Sequence, residues 1–348
     1  MIPLIVLFTV LILALFEIAS RRTDLRNLSV RFSLDRKLTE PGETVTLHYT
    51  VRNVSRFPFL FVGLSMRLDT CFKLEEDDQF LQQHTRSDFA GTQISHNFFL
   101  APRRQFSGKL RFSVRQRGLY DLGKYYLEFG DLLGLKPRLL TGEMNLRIIC
   151  TAGSCQLSPL QVLGGEIGSV SVRRFLYDDP TMVLGYREYS GREPMKQISW
   201  NQSAKSGHLI VRQNDFTTDR AAIVLVNIDP TSRRLMEHCL CLTNSVCKFL
   251  EREKIPYAML SNGDLRSITE GLGDSHLFFI QRRIGLSRHT GYTGFSSVIH
   301  NCLRRKKPGC TYIVITPSLD ESTQASVSLL ARHTDFKPVV LCAEENIA

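Results

Sequence analysis

GYREYSGREPMKQISWNQSAKSGHLIVR, residues Gly185 to Arg212, is the stretch on which the division of the chain turns. It holds the only tryptophan, Trp200, and sets Arg187, Tyr189, Arg192, Lys196, Lys205 and Arg212 among few acids. Pro194 suits a first helical position, so Met195 to Trp200 predicts a helical turn or two. His208 to Arg212 then alternates as a strand, with Leu209 and Val211 on one face. The guanidinium forks of Arg187, Arg192 and Arg212 match carboxylate or phosphate, and Lys205 adds a point charge. Trp200 either packs the motif down or stacks an Arg. Two readings stay open. One is a binding surface made by Arg187, Tyr189, Arg192, Trp200, Ser203 and Lys205. The other is a structural plug in which Arg187 pairs with Glu188 or Glu193 and Trp200 is core.

Working outward from this motif (185–218), the 348 residues predict two compact domains plus extras. Downstream, 219–348 predicts an α/β domain. Ala221 to Ile228 is a continuous apolar run, as in a parallel strand buried on both faces. A helical stripe follows at Leu235 to Leu250, then a strand near Pro256 to Leu260 and a helix near Gly294 to Leu303. A strand at Thr311 to Thr316, a helix at Ser322 to His333 and a strand at Pro338 to Cys342 complete an open, mostly parallel sheet. Upstream, 151–184 is rich in Gly, Ser and Pro and predicts a linker, ending in the acidic turn Asp178-Asp179-Pro180.

Residues 25–150 predict a β-sandwich of immunoglobulin-like type. Val45, Leu47, Tyr49 and Val51 alternate with polar residues, as do Leu110, Phe112 and Val114, and turn signals such as Pro41-Gly42 separate the runs. His48, His84 and His96 have no metal-ligand spacing. At the N-terminus (1–20), Ile2 to Ile18 is apolar except for Thr9 and Glu17, at the short limit of a membrane-spanning helix. No Lys or Arg precedes it and Arg21, Arg22 and Arg26 follow, which predicts a single-pass anchor in the cell membrane with the large domains cytoplasmic.

A net charge of +10 favours anionic partners, yet the basic residues are spread along the chain, which excludes a dedicated nucleic-acid tail and predicts no specific nucleic-acid binding. The nine cysteines follow neither a disulfide framework nor paired CxxC zinc spacing, so they predict reduced thiols. No P-loop, nucleophile elbow, HExxH or dinucleotide fingerprint occurs, and no catalytic residues are assigned.

Gly185, Arg187, Tyr189 and Gly191, followed by Ile198-Ser199-Trp200, Ser203-Ala204-Lys205 and Leu209-Ile210-Val211, resemble the domain of unknown function 58 (DUF58) family. Arg117-Gly118, Tyr120 and Gly123, with Asp131, Gly134 and Leu135, are similar to its upstream pattern. The family's Gly-Asp stands here as Gly191-Arg192, so a cation replaces an acid. The resemblance implies a von Willebrand factor type A-like C-terminal domain and a membrane-anchored, non-enzymatic scaffold or adaptor. It also implies a MoxR-type AAA+ ATPase or other membrane-complex proteins as partners, in cell-envelope or stress-related assembly. Such a domain holds Mg²⁺ through a loop after its first strand. Asp229 and Thr231 fit the first two places, but Arg233 falls on the third and repels a cation, so the loop is a degenerate metal site and the pair is expected to cap the following helix. Two rivals remain: a metal-dependent hydrolase of an anionic substrate, clamped by Arg187, Arg192 and Lys205, and an anionic-lipid-binding protein.

Overall fold

The structure, a computed structural model, describes residues 8, 27–75, 85–88, 91–130, 137–155, 177–191, 195–217, 221–229, 232–305, 310–334 and 336–344. The chain divides into two units, Met1–Gly153 and Ser154–Ala348.

The first unit is built from strands β1 (Leu28–Leu34), β2 (Leu38–Thr39), β3 (Thr44–Asn53), β4 (Phe59–Leu68), β5 (Phe72–Leu74) and β6 (Thr85–Asp88). It continues with β7 (Gly91–Leu100), β8 (Gln105–Val114), β9 (Gly118–Asp121), β10 (Lys124–Phe129), β11 (Arg138–Glu143) and β12 (Arg147–Cys150). They form sheets of order β1-β3-β8-β5, β11-β10-β4-β7-β6 and β2-β12-β9. In β3 the residues Val45, Leu47, Tyr49 and Val51 are all buried, because period-two alternation sends them to one face. Antiparallel register sets Leu47 opposite Leu110 and Val45 opposite Phe112 of β8. These side chains share one core with Val62, Leu64 and Met66 of β4 and Leu127 of β10. Gly108 is required by packing: a Cβ there would stand 2.2 Å from the Tyr49 ring, whose hydroxyl is hydrogen-bonded to His96 Nδ1.

The second unit opens with the antiparallel pair β13 (Tyr177–Glu188) and β14 (Ile210–Thr217), with helix α1 (Trp200–Ser206) between them in sequence. Next come β15 (Ala222–Val226), α2 (Arg233–Arg252), β16 (Tyr257–Ser261), β17 (Ile268–Gly271), α3 (Asp274–Leu286) and α4 (Phe295–Arg304). The unit ends with β18 (Thr311–Thr316), α5 (Glu321–His333) and β19 (Val339–Cys342). The sheet order is β17-β16-β15-β18-β19, parallel except for the β17 edge. Every residue of β15 is buried, which is why its sequence runs apolar without alternation. Ile223, Leu225, Tyr312 and Val314 pack with Ile299 of α4 and Leu330 of α5 on one face.

This architecture corrects the fold expected from the sequence, an anchor helix ahead of an immunoglobulin-like sandwich and a von Willebrand factor type A-like domain. The chain is mostly β-sheet, and no helix among the described residues is long and apolar enough to cross a membrane. The longest, α2 with 20 residues, reaches about 30 Å but carries Arg233, Arg234, Glu237, Lys248, Glu251 and Arg252. Ile2 to Ile18 lies outside the described residues apart from Phe8. No helix among the described residues supports the single-pass anchor or the membrane location expected from it. Two further elements escaped the sequence pattern. Strand β17 is four residues long and largely exposed, and α3 buries only Ile280, Ile284 and Gly285. The linker also ends early, because Asp178 to Pro180 lies in β13, where a register shift between Asp178 and Val183 absorbs it.

Candidate functional site

The motif folds as a ribbon with a helix attached. Arg187 stands opposite Val211 and Tyr186 opposite Arg212, while the Tyr189 N–H donates to the Leu209 carbonyl at 2.8 Å. On the other edge of β14, Ile198 forms a bridge with Val211, and the Ser199 N–H donates to the Ile210 carbonyl at 2.8 Å. Helix α1 starts there and stops at Gly207, whose φ of 77° lies in the left-handed region that glycine reaches most easily. Its N–H closes the helix on the Ser203 carbonyl at 3.0 Å.

Ser203 is the clip of this arrangement. Its hydroxyl donates to the Ser199 carbonyl at 2.9 Å and accepts from the Ile210 N–H at 2.9 Å, joining helix to strand. It is buried, along with Ile198, Ser199 and Val211. Ser203 therefore holds the motif together rather than presenting a binding group. Lys205 is exposed in the last turn of α1, where a cation complements the helix dipole. Arg187 and Arg212 are both exposed, but the pleat sends residues opposite Val211 and residues opposite Tyr186 to different faces. These two guanidiniums thus do not converge on one anion. Tyr189 is half-buried, and Arg192 lies outside the described residues.

Trp200 is 62% exposed, which overturns its reading as core. Met195 is 68% exposed, Tyr186 49% and Leu209 45%, three residues that sequence reasoning did not assign to the site. The signal for Tyr186 was its register opposite an exposed Arg, which only the pairing of β13 with β14 reveals. Large apolar side chains are exposed elsewhere too, at Leu60, Phe61 and Phe99 in the first unit and at Phe278 and Phe279 in the second.

A second candidate lies at the carboxyl ends of β15, β16 and β18, the crevice where open α/β sheets bind ligands. Buried amides occupy it. Asn262 Nδ2 donates to Asn227 Oδ1 at 3.1 Å, to the Ile228 carbonyl at 3.0 Å and to the Thr293 carbonyl at 3.2 Å. Its Oδ1 accepts from the Ile228 N–H at 2.7 Å. Asn227 Nδ2 donates to Thr316 Oγ1 at 3.1 Å, and that hydroxyl donates to the Ser318 carbonyl at 2.8 Å. The next residue, Asp229, is half-buried, and Thr231 lies outside the described residues. The cap of α2 is Ser232, which accepts from the Leu235 N–H at 3.3 Å, and not Asp229 with Thr231 as expected. Asp320 caps α5, and hydrogen bonds from Thr323 and Ser322 hold its carboxyl below the usual carboxylate range. Among the described residues, no group of three or more His, Cys, Asp or Glu comes together to hold a metal ion.

No family model matches the chain. No curated protein matches it either. Among solved structures it is similar to AvmM, which catalyses macrocyclization in alchivemycin A biosynthesis, at 14% identity over 38% of this chain and 93% of that chain, with a TM-score of 0.24. Spo0M, a sporulation control protein from Bacillus subtilis, matches at 13% identity over 44% of this chain and 58% of that chain, with a TM-score of 0.20. A GH20 exo β-N-acetylglucosaminidase from Vibrio harveyi matches at 11% identity over 83% of this chain and 57% of that chain, with a TM-score of 0.24. Likenesses this distant carry no argument about activity.

Proposed function

We propose that the chain is a non-enzymatic scaffold or adaptor whose ribbon motif docks a protein partner. The observation that supports it is the exposure of Met195 and Trp200 beside Lys196 and Lys205, with Tyr186 and Leu209 also exposed but on opposite faces of the ribbon. Tyr, Trp and Arg are the residue types that dominate binding energy in protein interfaces, through desolvated aromatic anchors surrounded by polar contacts. The net charge of +10 favours a partner whose surface is acidic. The resemblance to the domain of unknown function 58 family supports an AAA+ ATPase of MoxR type as that partner, in an envelope or stress-related assembly.

The test is co-purification of the full chain with mass spectrometry, followed by affinity measurement against the ATPase recovered. Trp200→Ala with Met195→Ala is expected to weaken capture at least about tenfold, or roughly 1.4 kcal/mol. Repeated recovery of no ATPase sinks the partner class. Equal capture by the double variant removes the ribbon motif from the interface.

A further inference from the structure

Where the second unit begins, the chain is tied along one stripe of α2. The Cys155 N–H donates to Ser245 Oγ at 2.7 Å, and Ser245 Oγ donates to the Cys241 carbonyl at 2.9 Å. Lys248 Nζ donates to Ser154 Oγ at 2.8 Å. His238, Cys241, Ser245 and Lys248 are spaced three and four apart, so they share a helix face. On that face Cys241 lies one turn before Ser245, the residue that holds the Cys155 N–H, and His238 Nδ1 stands 4.0 Å from Cys155 Sγ.

This pair differs from most of the other thiols. Cys150, Cys239, Cys247, Cys302, Cys310 and Cys342 are buried, whereas Cys155 and Cys241 are half-buried and reachable from solvent. Burial pushes Cys239 and Cys247 up to about 12 and Cys302 up to about 11, while the hydrogen bond from Cys241 draws Cys155 below the ordinary thiol value. The thiolate is the nucleophilic form of cysteine, so reactivity concentrates where a thiol is accessible and its anion is stabilised. Cys71, the third half-buried thiol, is instead raised by its own burial and by Asp69.

We propose that Cys155 and Cys241 form a peroxide-reactive dithiol that closes to a reversible disulfide, tying the start of the second unit to α2. His238 takes the Cys155 proton. The thiolate attacks one hydroperoxide oxygen, so an S–O bond forms, the O–O bond breaks and the leaving oxygen departs with that proton as water or alcohol. Cys241 then attacks the Cys155 sulfenic acid: an S–S bond forms, the S–O bond breaks and hydroxide leaves, taking the Cys241 proton to become water. Two thiols lose two electrons in total and one hydroperoxide is reduced.

The experiment treats the reduced full chain with hydrogen peroxide, quenches by alkylation and maps peptides by mass spectrometry. The expected result is one linked Cys155–Cys241 peptide pair, lighter by two hydrogens and restored by dithiothreitol. It should form at least about tenfold faster than Cys239 is lost. Cys241→Ser should stop at oxidised Cys155 monomer peptide, and His238→Gln should slow the first step several-fold near neutral pH with the gap closing in alkali. The wild-type map decides the matter even if a variant folds poorly. The proposal is overturned if both thiols alkylate fully after peroxide, if either cysteine links to another, or if the reduced chain binds zinc through this pair and is thereby protected.

Discussion

The ribbon motif and the carboxyl end of the parallel sheet are opposites in how they dispose of polar and apolar groups. At the sheet, Asn227, Asn262 and Thr316 are nearly inaccessible and spend their hydrogen-bonding capacity on one another and on nearby backbone. In the ribbon motif the backbone, one serine hydroxyl and the buried Ile198 and Val211 supply the cohesion, and Tyr186, Met195, Trp200 and Leu209 are exposed. A satisfied buried amide network rigidifies a core and leaves no donor for a ligand. An exposed tryptophan on a short helix costs hydration for no internal gain, which makes it the place to look for a partner. At that end of the sheet the three buried side chains are satisfied by one another and by backbone, whereas the ribbon motif leaves Trp200 and Met195 exposed.

Breaking the closed side gives the largest effect. Asn262→Ala strips the acceptor from the Ile228 N–H and the donor from Asn227 Oδ1, leaving buried groups without partners. We expect a loss of about 3 kcal/mol in urea unfolding, with partner capture by the ribbon motif unchanged when native protein is compared. A loss below about 1 kcal/mol would mean that the amides do not hold the sheet edge together.

Alkali attacks the same region. Cys239 Sγ lies 3.9 Å from the Asn227 carbonyl, and burial raises its folded pKa to about 12, as it does for Cys247. A raised folded pKa contributes stability that is complete below the unfolded value of 9.0 and is lost as pH rises through about 12. Urea midpoints between pH 9 and 10 should fall by an amount equal to about 2 kcal/mol for the two thiols, and Cys247→Ala should remove roughly half of that slope.

The extent to which these regions were legible beforehand follows from the range of the interactions that make them. Alternation in β3 and β8 and the apolar run of β15 are local signals tied directly to burial, and Val45, Leu110 and Val224 stand where their patterns put them. The amide network was not legible, because Asn227, Asn262 and Thr316 are brought together only by parallel pairing of β15 with β16 and β18. Within the ribbon motif, residue type leaves Ser203 open between a binding surface and a structural part, since its acceptor and donor partners lie in different elements. For Trp200, residue type alone does not choose between core and surface. The anchor expectation rests on hydropathy and flanking arginines, compositional signals with no packing partner to check them.

Ser203→Ala probes the cohesion of the open side. The Ile210 N–H loses its acceptor and the Ser199 carbonyl loses a donor, both part of a single helix-to-strand clip. The cost should be about 1 kcal/mol, seen as a roughly fivefold drop in hydrogen-exchange protection at Ile210. If protection is unchanged, the antiparallel pairing of β14 suffices on its own.

The smallest effect on stability belongs to Trp200→Ala, and its smallness is the point. A side chain 62% exposed gives up little burial on truncation, so unfolding should shift by less than about 0.5 kcal/mol. Trp200 is also the only tryptophan in the chain, so the intrinsic emission of the native protein reports this one position. In the free protein it should resemble a hydrated indole and be quenched readily by acrylamide. On capture of a partner through the ribbon motif, the indole leaves water, the emission shifts to the blue and quenching falls. A variant that unfolds easily would place Trp200 back in the core, and a partner that binds without altering the emission would place the docking surface elsewhere.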